Sequence, residues 1–246
     1  MRKVLSIILL LLQFTFVVQA QKVNTDLVYQ VKMPAKGAAK APVIILLHGY
    51  GSNETDLFDI ANALDDRYIV FSVRAPFKGK EIGYSWYGLE FLPNKQLKHN
   101  FKEMKESRAK ILSFISNACA AYKTDSTKVF VMGYSQGAIM AYDLALNAPK
   151  KVNGVLILSG MLPEEIKPIK ANWNLLNNVK YFIAHGNSDN VIDIKEAEKA
   201  AAYLKEKGNK EVNYKNYEMP HALTGNELND IKKWLKKQLD PAPKIK

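Results

Sequence analysis

The sequence predicts an α/β protein, built on a mainly parallel, twisted sheet with helices on both faces. Three observations predict it. Short runs of β-branched and aliphatic residues alternate with longer runs of helical period. The short runs are apolar throughout rather than alternating with polar residues, as strands buried on both faces are. The connections are brief, with no internal repeat and no long linker, so a single domain carries the whole alternation.

The first twenty residues stand outside this pattern. MRKVLSIILLLLQFTFVVQA opens with Arg2 and Lys3, runs apolar over 4–18, and ends with small residues at Val18 and Ala20. That is the pattern of a secretory signal peptide, residues 1–20, cut before Gln21. The run is short for a membrane span, and Ser6, Gln13 and Thr15 interrupt it. The expectation is a secreted or periplasmic protein with no stable membrane span after cleavage. Without the leader the formal charge falls from +11 to +9. Residues 21–246 are enough for one domain with a sizeable core. The one cysteine, Cys119, excludes an intramolecular disulfide and leaves no lipid-attachment cysteine after the leader.

Along the mature chain, 27–31 reads as an edge strand, followed by a turn over 34–41 rich in Pro, Gly, Ala and Lys. Buried strands are expected at 43–47, 68–73, 129–132, 155–158 and 181–184. A half-exposed last strand at 211–218 sets Val212, Tyr214 and Tyr217 among polar residues. Helical periods fall near 54–64, 101–122, 137–147, 194–207 and 225–239. In the second of these, Cys119 joins the stripe of Ile111, Leu112, Ile115, Ala118 and Tyr122, which makes it an inert core residue. In the last, Leu228, Ile231, Leu235 and Leu239 mark the buried stripe, while Lys232, Lys233, Lys236 and Lys237 form a solvated face. The connection MLPEEIKPIKANWNLLNNV is too short for a large lid. A parallel sheet of this kind delivers its functional loops at the carboxyl ends of the strands.

One such strand end carries chemistry. In VFVMGYSQGAIMAYDLAL, Gly133 and Gly137 flank Ser135 where an apolar strand gives way to a buried helix. So tight a turn strains its central residue, and glycine two positions either side avoids a Cβ clash. The serine hydroxyl is thereby lifted clear of the sheet edge. A hydroxyl is a weak nucleophile and needs a base, which in turn needs an orienting acid. Where a serine sits on such a strand–turn–helix elbow, the acid and then the histidine follow it in the chain.

Of His48, His99, His185 and His221, two follow Ser135. His185 ends the strand YFIAHG too early to leave an acid before it. His221, in MPHAL between the last strand and the last helix, suits the base. The acid is then sought in HGNSDNVIDIKEAEKA. Asp193 stands before a helix with Glu196 three residues on, which is a capping box. Asp189 has no such duty and is assigned as the acid. An oxyanion formed on attack needs backbone donors, and the N–H of Gln136 is one. A second is expected from the loop His48-Gly49-Tyr50-Gly51 after an earlier strand.

LLHGYGSNETDLFDIA, VFVMGYSQGAIMAYDLAL, HGNSDNVI and MPHAL, in this order, resemble the phospholipase/carboxylesterase family of α/β-hydrolases, which includes the acyl-protein thioesterases. The resemblance spans nearly the whole mature domain. It implies Ser135, Asp189 and His221 as the triad, with the N–H groups of Tyr50 and Gln136 as oxyanion hole. GYSWYGLEF resembles the family's Ser-Trp-aromatic-Asp stretch, which implies Trp86 and Tyr87 near the acyl pocket. Without the resemblance, Trp86 and Tyr87 read equally as loop-packing aromatics. Gly88 stands where the family has Asp, and Met219-Pro220 replaces a more glycine-rich approach to the histidine.

The expected activity is two-step acyl transfer by a serine carboxylesterase, through an acyl-serine, on short- to medium-chain esters. Export points to envelope or extracellular esters, acylated carbohydrates among them, and the basic charge favours polyanionic substrates or surfaces. No cofactor or metal is expected, since the histidines show no ligand spacing such as His-Glu-x-x-His. Nothing reads as a nucleic-acid module. Two other readings stay open from the sequence: an acyltransferase using the same acyl-serine, and a non-catalytic binding protein on a hydrolase fold.

Overall fold

The computed structural model describes residues 22–92, 97–168 and 171–240, so the expected leader lies outside the described residues. In chain order the elements are β1 (Tyr29–Lys32), β2 (Val43–Leu47), α1 (Phe58–Ala63) and β3 (Ile69–Val73). Two short ribbons follow, β4 (Phe77–Lys78) with β5 (Tyr84–Ser85) and β6 (Leu89–Phe91) with β7 (Leu97–His99). Then come α2 (Phe101–Tyr122), β8 (Val129–Tyr134), α3 (Gln136–Asn147), β9 (Gly154–Leu158) and α4 (Trp173–Leu176). The chain closes with β10 (Lys180–Gly186), α5 (Ile194–Glu206), β11 (Val212–Tyr217) and α6 (Gly225–Leu239).

Seven strands make the central sheet in the order β1-β3-β2-β8-β9-β10-β11. β1 runs antiparallel to β3, with Tyr29 opposite Val73, and every other pairing is parallel. Alternation of side chains along each strand sorts the apolar residues into two cores. On one face Ile44, Leu46, Val70, Phe130, Met132 and Phe182 pack against α1 and α6 through Ala61, Ile231, Trp234 and Leu235. On the other, Ile45, Leu47, Phe71, Val131 and Ile183 pack against α2, α3 and α5 through Phe114, Ala141 and Ala200. Helices therefore cover both faces, as the unbroken apolar strands required. Trp234 stands edge-on to Phe130 with ring centroids 6.0 Å apart, and so belongs to the α6 stripe expected from its leucines. Lys232, Lys233, Lys236 and Lys237 are all exposed.

Two expected strands run further than their apolar cores. β8 continues to Tyr134, at the foot of the elbow, and β10 continues through His185 to Gly186. Helix α1 is shorter than expected. Asn53 turns the chain with its own side chain, accepting from the Thr55 N–H at 2.8 Å, and the helix begins only at Phe58. The two ribbons are additions, because strands of two or three residues carry no readable period. Between β9 and β10 the described residues hold a single 3₁₀ turn (Glu164–Ile166) and the four-residue α4. Cys119 is buried on α2, and burial pushes its thiol up. Among the described residues no helix is long and apolar enough to cross a membrane.

Candidate active site

Ser135, Asp189 and His221 follow β8, β10 and β11 respectively, and the Gly49-Tyr50 loop follows β2, so all lie at carboxyl ends of parallel strands. Ser135 sits at φ 53° and ψ −113°, a strained conformation for any residue with a Cβ. Hydrogen bonds hold it there: its N–H donates to Leu158 at 2.9 Å, and its carbonyl accepts from Ala138 and Ile139 at 3.0 and 3.2 Å. The glycines are demanded by contact. A Cβ on Gly133 would run into the Gly137 carbonyl, and one on Gly137 would run into the Leu47 carbonyl. Strand β8, helix α3 and strand β2 can meet this closely only where side chains are absent.

The three sequence-assigned residues come together. Asp189 Oδ2 lies 2.7 Å from His221 Nδ1, and His221 Nε2 lies 3.0 Å from Ser135 Oγ. Asp189 has a side chain with no exposure, whereas His221 retains 14%. The other carboxylate oxygen, Oδ1, accepts the N–H groups of Val191 and Ile192, each at 2.9 Å. Tyr134, beside the serine, donates its hydroxyl to the His221 carbonyl at 2.9 Å and packs its ring 5.2 Å from the imidazole. Burial pushes the Tyr134 phenol up to about 12. The acid and histidine loops are clipped together, since Ser188 N–H donates to Met219 and Asn187 N–H to Tyr217. Asp193 caps α5, accepting from Lys195 N–H at 2.9 Å. The reciprocal arm of the expected capping box is not made, because Glu196 pairs with Lys199 at 2.7 Å.

The expected oxyanion donors belong to the two segments that meet at the elbow, the β2 loop and the start of α3. Among the described residues, neither the Tyr50 nor the Gln136 N–H is donated to another protein group. The β2 loop reaches the elbow closely enough that a Cβ on Gly49 would lie 3.5 Å from Ser135 Cβ. Its far side is braced by Arg74, which grips Glu54 through two hydrogen bonds at 2.5 and 2.6 Å and holds that carboxyl below its usual range.

Trp86 and Tyr87, expected near the acyl pocket or as loop-packing aromatics, are both fully buried. Their surroundings show loop packing with a specific consequence. Trp86 Nε1 donates to the His48 carbonyl at 2.9 Å. Its backbone N–H donates to Gln136 Oε1 at 2.9 Å, and Gln136 Nε2 returns a bond to the Tyr87 carbonyl at 2.7 Å. The segment 86–87 thus ties the β2 loop to Gln136, the two places where the oxyanion donors are expected. Gly88 also has a reason. Its N–H donates to Glu103 Oε2 at 2.6 Å, and an Asp there would set a second carboxylate beside the first.

Two histidines unassigned from the sequence also have places. His48 is fully buried, bonding Gly49 O through Nδ1 at 2.7 Å and accepting Ala75 N–H on Nε2 at 3.0 Å. Desolvation lowers its proton affinity, which suits a neutral ring held between one donor and one acceptor. His185 is likewise buried, 3.1 Å from Asp189 Oδ2. Beside the Tyr50 loop a cavity of about 420 Å³ opens to solvent, lined by Tyr50, Ile82 and Leu89 with Lys80 and Glu90 at its polar side. Ile82 is 72% exposed. Among the described residues no cluster of His, Cys, Asp or Glu is arranged to hold a metal ion.

A mainly parallel sheet with a serine elbow, a hydrogen-bonded Ser-His-Asp line and free N–H groups beside it defines an α/β-hydrolase of the serine type. The sequence profile described as Phospholipase/Carboxylesterase matches residues 30–239. The chain belongs to the phospholipase/carboxylesterase family, and is an ester-hydrolase type of enzyme. Acyl-protein thioesterase 1 of Mycosarcoma maydis is 25% identical over 225 residues, covering 83% of this chain and 94% of the relative. A putative hydrolase of Bacillus subtilis is 25% identical over 199 residues, covering 80% and 94%. The crystal structure of a Bacillus cereus carboxylesterase shares the fold with a TM-score of 0.74 at 24% identity, over 87% of this chain and 95% of that one. Zea mays acyl-protein thioesterase 2 does so with a TM-score of 0.71 at 22% identity, over 86% and 99%.

Proposed function

We propose that this chain is an exported serine carboxylesterase that releases short- to medium-chain acyl groups from small or carbohydrate esters through an acyl-serine intermediate. The observation that carries the reading is the unbroken line Asp189–His221–Ser135, at 2.7 and 3.0 Å, beside two unengaged backbone N–H groups. In the first step Ser135 Oγ attacks the ester carbonyl carbon while His221 Nε2 takes its proton. Asp189 holds the imidazole by Nδ1–H and stabilises the imidazolium. The N–H groups of Tyr50 and Gln136 receive the oxyanion. The tetrahedral adduct collapses, the C–O bond to the alcohol breaks, and His221 returns the proton to the leaving oxygen. Water then attacks the acyl-serine with His221 again as base, releasing the acid and restoring Ser135.

The cavity beside Tyr50 supports the substrate size. Ile82 and Leu89 offer a short apolar wall, while Lys80 and Glu90 suit a polar alcohol portion. The names of the relatives include thioesterases, and the same site would cleave a thioester by the same steps. Export rests on the sequence pattern of residues 1–20.

The test is a series of p-nitrophenyl esters of increasing acyl length, with an acyl thioester alongside and Ser135→Ala as control. Fastest turnover on acetyl to octanoyl esters, absent in Ser135→Ala, supports the reading. A preference for palmitoyl thioester would transfer the substrate to acyl-proteins. A product that is mainly a new ester when an alcohol acceptor is added would make the enzyme an acyltransferase.

A further inference from the structure

We propose that His185, the buried histidine near the end of β10, is a positioning residue that closes the acid loop through Ile192 O and sets an imidazole N–H dipole against the Asp189 carboxylate. The inference rests on the triad reading of Ser135, His221 and Asp189. His185 has no solvent exposure, and its Nε2 lies 2.8 Å from the Ile192 carbonyl oxygen and 3.1 Å from Asp189 Oδ2. Both neighbours are acceptors, so Nε2 carries the hydrogen; the hydrogen bond goes to Ile192 O, and Asp189 Oδ2 stands beside the same N–H at charge–dipole distance. The opposite tautomer would strand a hydrogen on Nδ1, which is buried and has no partner among the described residues. It would also turn a lone pair toward two oxygens.

Asp189 accepts hydrogen bonds from three N–H groups, Val191 and Ile192 on Oδ1 and His221 on Oδ2, and the His185 N–H dipole lies alongside with Nε2 3.1 Å from Oδ2. A carboxylate with no exposed surface is costly unless donors replace its water, and no lysine or arginine within ion-pair distance does so among the described residues. His185 supplies part of that replacement. It also occupies one side of Oδ2, which leaves the remaining direction to His221 Nδ1 and fixes where the base points. The bond to Ile192 O closes the acid loop, because Ile192 lies beyond Asp189 in the chain. His185 itself is held in register opposite Asn216 of β11, the strand that leads to His221. One buried ring thus sets both the carboxylate and the loop that bears it.

The experiment uses the full protein with His185→Leu, His185→Asn and His185→Gln. The Gln amide nitrogen reaches where Nε2 stands, whereas Asn is too short and Leu has no donor. Each variant is checked by circular dichroism and melting, then assayed on a p-nitrophenyl ester. Its low-field proton spectrum is recorded for the His221–Asp189 N–H. The expected result is a kcat about 10- to 100-fold lower in His185→Leu and His185→Asn, with KM within about twofold. Their low-field resonance should shift or vanish, and His185→Gln should recover most of both readouts. Should His185→Leu misfold, His185→Asn carries the comparison. Folded variants with wild-type kcat and an unmoved resonance would overturn the proposal, as would equal losses in Gln, Asn and Leu. Wild-type turnover that does not depend on Ser135 would instead overturn the triad reading beneath it.

Discussion

Tyr134 donates its hydroxyl to the carbonyl oxygen of His221 at 2.9 Å, so the residue preceding the nucleophile holds the backbone of the base. A side chain on β8 thereby spans from the serine elbow to the loop after β11. Net hydrogen-bond contributions of this kind are about 1 kcal/mol, small for folding but enough to blur a catalytic distance. Tyr134→Phe should lower kcat about 3- to 10-fold and cost about 1 kcal/mol in denaturant unfolding. Because burial pushes the phenol up to about 12, the bond stays intact through ordinary alkaline conditions. The ratio of wild-type to variant kcat should therefore be flat from about pH 7 to 10. A ratio that collapses to one by pH 10 would mean the phenol ionises early and the bond is not what is lost.

The two aspartates of the acid loop should separate by readout. Asp189→Asn keeps the shape but offers His221 an amide in place of a carboxylate, and kcat should fall by about 10³- to 10⁴-fold. Asp193→Asn still caps α5, so it should cost well under about 1 kcal/mol and leave kcat near wild type. Melting curves and ester turnover on both variants decide it. The reverse pattern would move the acid to Asp193.

Glu227 gives a pH dependence with a definite sign. It is fully buried in α6, and burial pushes its carboxyl up to about 7, with the Thr224 N–H offsetting this in part. Neither carboxylate oxygen makes a hydrogen bond of good geometry. Between about pH 4.5 and 7 the folded state then binds more protons than the unfolded one, so stability falls as pH rises through that window. The loss is on the order of 3 kcal/mol at most. Glu227→Gln should remove it. Urea unfolding at pH 5 and pH 8 should show the wild type losing stability while the variant holds level. Parallel behaviour of the two proteins would exclude Glu227 as the source.

Gly137→Ala sets two effects against each other. Alanine gains about 1 kcal/mol of helix propensity over glycine. Its Cβ would run into the Leu47 carbonyl and approach the His48 carbonyl at 2.7 Å. Backbone oxygens cannot move aside as a flexible side chain can, so the clash wins. A net loss of about 3 kcal/mol or more is expected, with turnover falling further than the folded fraction. A stabilised variant would show that β2 and α3 are not in contact at the elbow.

What the sequence made legible follows from how local each signal is. Helix α2 matched its expected bounds because a full apolar stripe lies between Asn100, whose side chain accepts from Glu103 N–H, and Lys123, whose positive φ ends it. Ser135, Asp189 and His221 were legible because chain order alone sorts them once the elbow is seen. Their support was not. His185 lies four residues before Asp189, yet its approach to that carboxylate depends on a loop closure, through Ile192 O, that spacing cannot reveal. For Trp86 the sequence leaves pocket and loop packing both open, and the loop contact comes from the indole N–H on the His48 carbonyl, which no local pattern announces. The ribbons β4–β5 and β6–β7 escaped for want of length. The leader and the cleavage before Gln21 stay where the sequence put them, as expectations for residues outside those described.

The central claim is that His221 activates Ser135, and a fluorophosphonate probe tests it most directly. The probe phosphonylates a serine only where the hydroxyl is deprotonated by a neighbouring base. Intact-mass and peptide analysis of the folded protein should show one adduct, on Ser135. Labelling should be absent in Ser135→Ala, and slower by orders of magnitude in a His221→Ala variant whose circular dichroism is unchanged. Folded wild-type protein that resists the probe, or that labels as fast without His221, would contradict the account.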